Sequence, residues 1–217
     1  MSGIQQMLTG GTYAPAAPTV IGQAFGGGFY AGKIAVGGGG VATHYLIVAP
    51  KATGEAFGKK WGPYLVTTGI TSVINGPTNS ASLAALGASY QAAVFAEGLT
   101  IGGYSDWYLP AQNELEVLYY FLKPTTDANS ISSGSNANAV SPEPVSTNYT
   151  SGSPAQTSAG IGFRTGETDA FTDDVYWSST EVNADYARYQ GFYAGNQNNI
   201  LKNFGGGYVR AVRRIAV

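Results

Sequence analysis

The stretch Gly103-Tyr-Ser-Asp-Trp-Tyr-Leu-Pro-Ala-Gln-Asn-Glu-Leu115 decides how the chain is read. Gly102 and Gly103 have turn chemistry and lead into a short strand. Pro110 then suits the first turn of a helix, where a missing N–H costs nothing. Glu114 and Glu116 fall near the positive end of that helix, where carboxylates are stabilised. Leu115, Leu118, Tyr119 and Leu122 recur at three- and four-residue spacing and form an apolar stripe, and Lys123-Pro124 ends the helix. The stripe is expected to face the core.

Upstream, the spacing of Leu83, Leu86, Tyr90 and Val94 predicts a helix over 78–97, with Asn79 or Ser80 at its start and Gly98 after its last turn. Phe29 to Val36 and His44 to Pro50 read as strands bounded by Gly26-Gly27-Gly28 and Gly37-Gly38-Gly39-Gly40, which makes a hairpin. Neither glycine cluster ends in Gly-Lys-Ser/Thr before a helix, so neither is a phosphate loop. Residues 1–22 stand apart as a short uncharged segment with Pro15 and Pro18, either a tail or an arm that orders on a partner. The domain proper is expected over 23–217.

Downstream, 125–160 is rich in Ser, Asn, Thr, Gly and Pro; a loop this long is mobile or functional. Val175 to Glu181 reads as a strand, Tyr186 to Tyr193 as another, Gly195 to Asn199 as a turn and Tyr208 to Ile215 as the last strand. Two helices between strands from both ends of the chain give an α+β fold, with small antiparallel sheets, long loops and the terminal strands paired.

Composition limits the function. Charged residues are 11% of the 217, the net charge is −2, and there are 31 glycines. The near-neutral balance carries no electrostatic footprint for nucleic acid or an anionic membrane. No stretch approaches a membrane span, and Met1 to Met7 lacks the basic and apolar segments of a signal peptide. Without cysteine there is no disulfide, thiolate nucleophile or thiolate metal ligand. The expectation is assembly in a reducing cytoplasm, with any extracellular role reached by another route, such as incorporation into a virus particle.

His44 is the sole histidine and cannot build a multi-histidine metal site. No serine sits in a Gly-x-Ser-x-Gly elbow. Glu167, Asp169, Asp173, Asp174 and Glu181 form the densest acidic region, but they lack the spacing of a calcium loop and read as a solvated acidic loop near basic partners. No spacing sets two carboxylates across a cleft for glycoside hydrolysis. Catalytic residues, metal and cofactor are therefore all expected to be absent, and the protein is expected not to be an enzyme.

One region differs in kind. Asn183, Asp185, Tyr186, Arg188, Tyr189, Tyr193, Asn196, Asn198, Asn199, Lys202 and Asn203 lie close together along the chain. Tyr gives rigid contact area at low entropic cost and Asn adds adaptable hydrogen bonds, the mixture antibody paratopes use. Aromatic faces beside amide and guanidinium donors also suit sugar rings. The competing reading is a polar hairpin whose tyrosines pack for stability.

Gly103 to Leu115 resembles the "DWrLPs..EL" signature of the DUF1566 family. Tyr176-Trp-Ser-Ser-Thr-Glu181, followed by Val209-Arg-Ala-Val-Arg213, resembles that family's "yWSSTe…vRaVR" ending. The family is similar to the C-type-lectin-like fold of formylglycine-generating enzymes and of variable phage receptor-binding proteins, whose ligand-contacting positions precede the final strand. The matching interval here is Asn183 to Asn203. The resemblance implies a phage tail-fibre or tail-tip protein, located in the virion and homotrimeric. It would be held to other tail proteins by its N-terminal segment and would bind a host-surface glycan or protein. It also implies core roles for Trp107 and Trp177, and internal ion pairs between Asp106 and Arg210 or Arg213. The cysteines of the catalytic members are missing, as are the Glu-Pro-Asn and Trp-Asn-Asp calcium–sugar motifs, since Val145 follows Glu143-Pro144. Neither that activity nor calcium-dependent sugar binding carries over. The alternative is a structural virion component without direct receptor contact.

Overall fold

The structure, a computed structural model, describes residues 16–130, 133–157 and 162–217. It is mixed helix and sheet. β1 (Ala24–Phe25), β2 (Gly28–Ile34), β3 (His44–Val48) and β9 (Val212–Ala216) form one sheet in that order. β4 (Glu55–Phe57), β8 (Tyr208–Arg210), β5 (Val175–Glu181), β6 (Tyr186–Gly191) and β7 (Gln197–Leu201) form the second, in that order, and against the expectation of antiparallel sheets β8 runs parallel to β5. The last stretch of chain thus serves both sheets, passing from one to the other at Ala211. β9 runs antiparallel to β3, with Ile47 opposite Arg213, so strands from the two ends of the chain pair as expected.

The inner strands of both sheets bury both faces. Tyr45, Ile47, Trp177, Ala187 and Val209 point into one cluster with Trp61, Leu83, Tyr90 and Trp107. Their strand neighbours Leu46, Val48, Tyr176 and Val212 point into a second cluster with Leu115, Leu118, Tyr119 and Leu122. The period of two sends alternate side chains to opposite faces. Near-continuous apolar runs such as Tyr45 to Val48 are the sequence mark of strands covered on both sides. Trp107 and Trp177 are core residues, as the motifs imply.

The helices depart from expectation in number and limits. Besides the single turn α1 (Lys51–Gly54), the span 76–97 holds two helices, α2 (Gly76–Ala85) and α3 (Gln91–Glu97). Gly87 at φ +107° breaks them apart, a conformation side-chain-bearing residues avoid. Asn79 and Ser80 are buried inside α2 and do not cap it; Ser80 Oγ accepts from Leu109 N–H at 2.9 Å. Leu86 and Val94 are consequently exposed while Leu83 and Tyr90 stay buried.

α4 (Gln112–Leu122) keeps its predicted stripe, and Glu114 closes its N-terminus by accepting from Ala111 N–H at 2.7 Å. Glu114 also pairs with Arg214 at 2.6 Å and accepts from Tyr108 Oη. Glu116 does not sit at the helix end in water: it is fully buried, and desolvation pushes its carboxyl up to about 8.

Ion pairs hold the irregular parts. Arg213 grips Asp106 through two hydrogen bonds, at 2.7 and 2.9 Å, with its guanidinium 3.7 Å from the Tyr104 ring centroid. Arg210, fully buried, pairs with Glu55 at 3.0 Å and Asp169 at 3.6 Å. The acidic region is therefore not one solvated loop, because Asp169 and Glu181 are drawn inward to cations. The N-terminal boundary also shifts: Pro18 is buried and Ile21 packs on both clusters, so the chain joins the domain before residue 23. The rest of the expected attachment segment, residues 1–15, lies outside the described residues.

Candidate functional site

β7 is the outermost strand of the second sheet, and its residues 197–199, read in sequence as the end of a turn over 195–199, pair with β6 through the backbone. The turn lies earlier, where Gly195 takes φ +72° and packs on Tyr119: a Cβ there would lie 2.5 Å from that ring. The register sets Arg188 opposite Asn199 and Tyr189 opposite Asn198. Alternation then divides the predicted residues between two faces. Tyr186, Arg188, Asn199 and Leu201 share one face. Tyr189 and Asn198 share the other with Ala187 and Ile200, and there Tyr189 and Ile200 pack against the first cluster.

At the turn, Asn196 Nδ2 donates to Tyr189 Oη at 3.2 Å and to Tyr193 Oη at 3.0 Å. Burial and the neighbouring Tyr193 hydroxyl push the Tyr189 phenol up to about 12, so it is neutral. Asn183 Oδ1 accepts from Asp185 and Tyr186 N–H at 2.9 and 3.0 Å, an Asx turn that starts β6. Asn183, Tyr193, Asn198, Asn199 and Asn203 are exposed, and Asp185, Tyr186, Arg188 and Asn196 half-buried.

Lys202 is a correction. Its side chain has no exposed surface; its ammonium pairs with Glu181, donates to Val66 O, and lies 5.0 Å from the Trp61 ring centroid. It cannot touch a ligand. Its work is to fix a loop the sequence reading missed. Trp61 and Gly62 N–H both donate to Lys202 O, at 3.0 and 3.1 Å. Glu181 accepts from Thr68 and Gly69 N–H at 2.8 and 2.6 Å. The loop between these anchors turns Tyr64, Leu65 and Val66 outward at 44, 67 and 41% exposure.

Leu65 takes φ +63°, a rare and costly conformation for a bulky side chain. Strain of this kind persists where surroundings over-determine it, and it concentrates at ligand-contacting loops. Leu201 and Phe204 are exposed on the hairpin side of the same anchor residue. A 260 Å³ pocket lined by Lys60, Gly62, Pro63, Ser89, Gln91 and Asn203 opens beside it. The site is thus a Tyr- and Asn-rich edge hairpin and an apolar loop tip, clamped together by one buried ion pair. Only the φ at Leu65 and the pairing of Lys202 complete it, and neither is a sequence signal.

Among the described residues no three His, Asp or Glu side chains converge to hold a metal, and no helix is long and apolar enough to cross a membrane. No protein family, curated protein or solved structure matches the chain.

Proposed function

We propose that this protein is a non-catalytic receptor-binding component of a phage tail, with a C-type-lectin-like fold of DUF1566 type. One observation carries the binding reading. A Tyr- and Asn-rich hairpin at a sheet edge has an apolar loop tip beside it, where Tyr64, Leu65 and Val66 are exposed. Exposed apolar side chains rimmed by amides mark interaction surfaces. The virion assignment rests on the two motifs of 103–115 and 176–213 and on the near-neutral, cysteine-free composition.

In this reading the residues before Pro18 attach the domain to other tail proteins. Three copies on one fibre raise avidity where each site is weak. The ligand is a host-surface glycan or protein, and the pocket beside Asn203 takes one ring or side chain of it.

The test is competition: purified protein added to host cells is expected to block phage adsorption in proportion to its concentration. Protease or glycosidase treatment of the cells then separates the two receptor classes. Adsorption untouched by saturating protein would favour the structural-component alternative, in which the same hairpin lies against neighbouring subunits.

A further inference from the structure

Away from this surface, the segment 133–157 has neither helix nor strand yet buries much of its polar content against α4. Asn113 Nδ2 donates to Asn138 Oδ1 at 2.7 Å, Asn136 Nδ2 to Asn113 O at 2.9 Å, and Tyr120 Oη to Pro142 O at 3.0 Å. Where this segment meets α4 and β6, one group of buried polar atoms is unsatisfied. Both carboxylate oxygens of Glu116 and both of Glu143 are buried without a hydrogen-bond partner. So are Tyr149 Oη and Gln190 Oε1. These side chains are 0, 4, 4 and 1% exposed.

The four residues gather around one turn of α4. Tyr149 packs against Tyr119 and Tyr120, three and four residues on from Glu116, with ring centroids 6.1 and 5.9 Å apart. Tyr120 Oη donates to the carbonyl of Pro142, the residue before Glu143, and Gln190 donates to the carbonyl of Gly195, which packs on the Tyr119 ring. Among the described residues neither Glu116 nor Glu143 has an ion-pair partner. Gln190 cannot turn its amide nitrogen inward, because that group already donates to Gly195 O at 2.7 Å. Its oxygen is the free end.

Two buried carboxylates without a counter-charge are costly, since burial of an unpaired ion is opposed by several kcal/mol. The available atoms are all oxygens: two carboxylates, one carboxamide and one hydroxyl. That set lacks the imidazole and thiolate of transition-metal sites and matches what Ca²⁺ takes, carboxylates supplemented by neutral oxygens. We propose that Glu116, Glu143, Gln190 and Tyr149 bind one hard divalent cation that fastens the 133–157 segment to α4 and β6. The ion neutralises both carboxylates and joins three parts of the chain that share no continuous ladder. Its burial separates it from any surface ligand, so its role is structural.

The experiment is calorimetric titration of CaCl₂ into chelator-treated full-length protein, with thermal unfolding and limited proteolysis alongside. One equivalent of Ca²⁺ is expected to bind, to raise the unfolding midpoint by several degrees and to slow cleavage within 133–157. Glu116→Gln and Glu143→Gln, close in shape to the originals, are expected to lose all three effects. Tyr149→Phe, which removes only the hydroxyl, weakens binding, and Asp173→Asn, on an exposed acid, leaves it intact. Absence of binding and of any midpoint change at millimolar CaCl₂ would overturn the proposal and leave both carboxyls held as neutral acids. Ca²⁺ binding that survives in both Gln variants would overturn it equally, by placing the ion elsewhere.

Discussion

Lys202 and Glu181 show what a residue can do that its type does not announce. In sequence one belongs to a polar hairpin and the other to an acidic region; in the fold they are one buried pair that clamps the loop 61–69 to β7. Removing one partner strands the other charge in the core. Lys202→Met or Glu181→Gln should therefore each cost about 3–5 kcal/mol in urea unfolding. Burial acts to raise the Glu181 carboxyl, but the Lys202 ammonium and the Thr68 and Gly69 amides override it and hold it below its ordinary value. A carboxyl lowered by folding stabilises above its unfolded pKa, and the contribution is lost as pH falls through the folded value. Stability measured by urea midpoint should drop below about pH 4, and less steeply in Glu181→Gln. Trp107, Trp177 and the Asp106–Arg213 pair were legible because they lie in the two recognisable motifs. Glu116 was misread because a helix position near the N-terminus says nothing about which face packs inward.

At the scale of elements, the strands and α4 were legible from periodicity, and the errors share one cause. Local chemistry was trusted where tertiary pairing decides. Residues 197–201 carry Asn, a turn former, yet a strand at a sheet edge needs only its backbone to pair with β6. The span 76–97 keeps helical spacing across Gly87, and only its left-handed φ shows the break. Two substitutions test these elements. Gly195→Ala combines a left-handed φ with a Cβ driven into the Tyr119 ring, and should cost about 1–3 kcal/mol or more by denaturant unfolding. Leu65→Asn places a residue that tolerates the left-handed region where Leu is strained. It should leave stability unchanged or raise it by up to about 1 kcal/mol, while host-cell binding falls. A loop kept for its side chain, not for folding, shows that split.

For the whole molecule, two clusters share two sheets, and the chain ends meet in β3 and β9. The α+β class and the pairing of terminal strands were legible from element order, because strands at both ends of a chain need partners. That the final stretch serves two sheets was not, since alternation continues unbroken through Ala211. Truncation after Ala211 should abolish cooperative unfolding, as it removes β9, Arg213 and Arg214 together. The central claim is that the hairpin face of Tyr186, Arg188 and Asn199 meets the host receptor, with the core-facing Tyr189 serving the scaffold. The most direct measurement is adsorption of phage carrying Tyr186→Ala, Arg188→Ala and Asn199→Ala, with the unfolding midpoint of the variant domain checked in parallel. Adsorption is predicted to fall at least tenfold, about 1.4 kcal/mol of binding, with the midpoint unchanged; wild-type adsorption by this triple variant would contradict the claim.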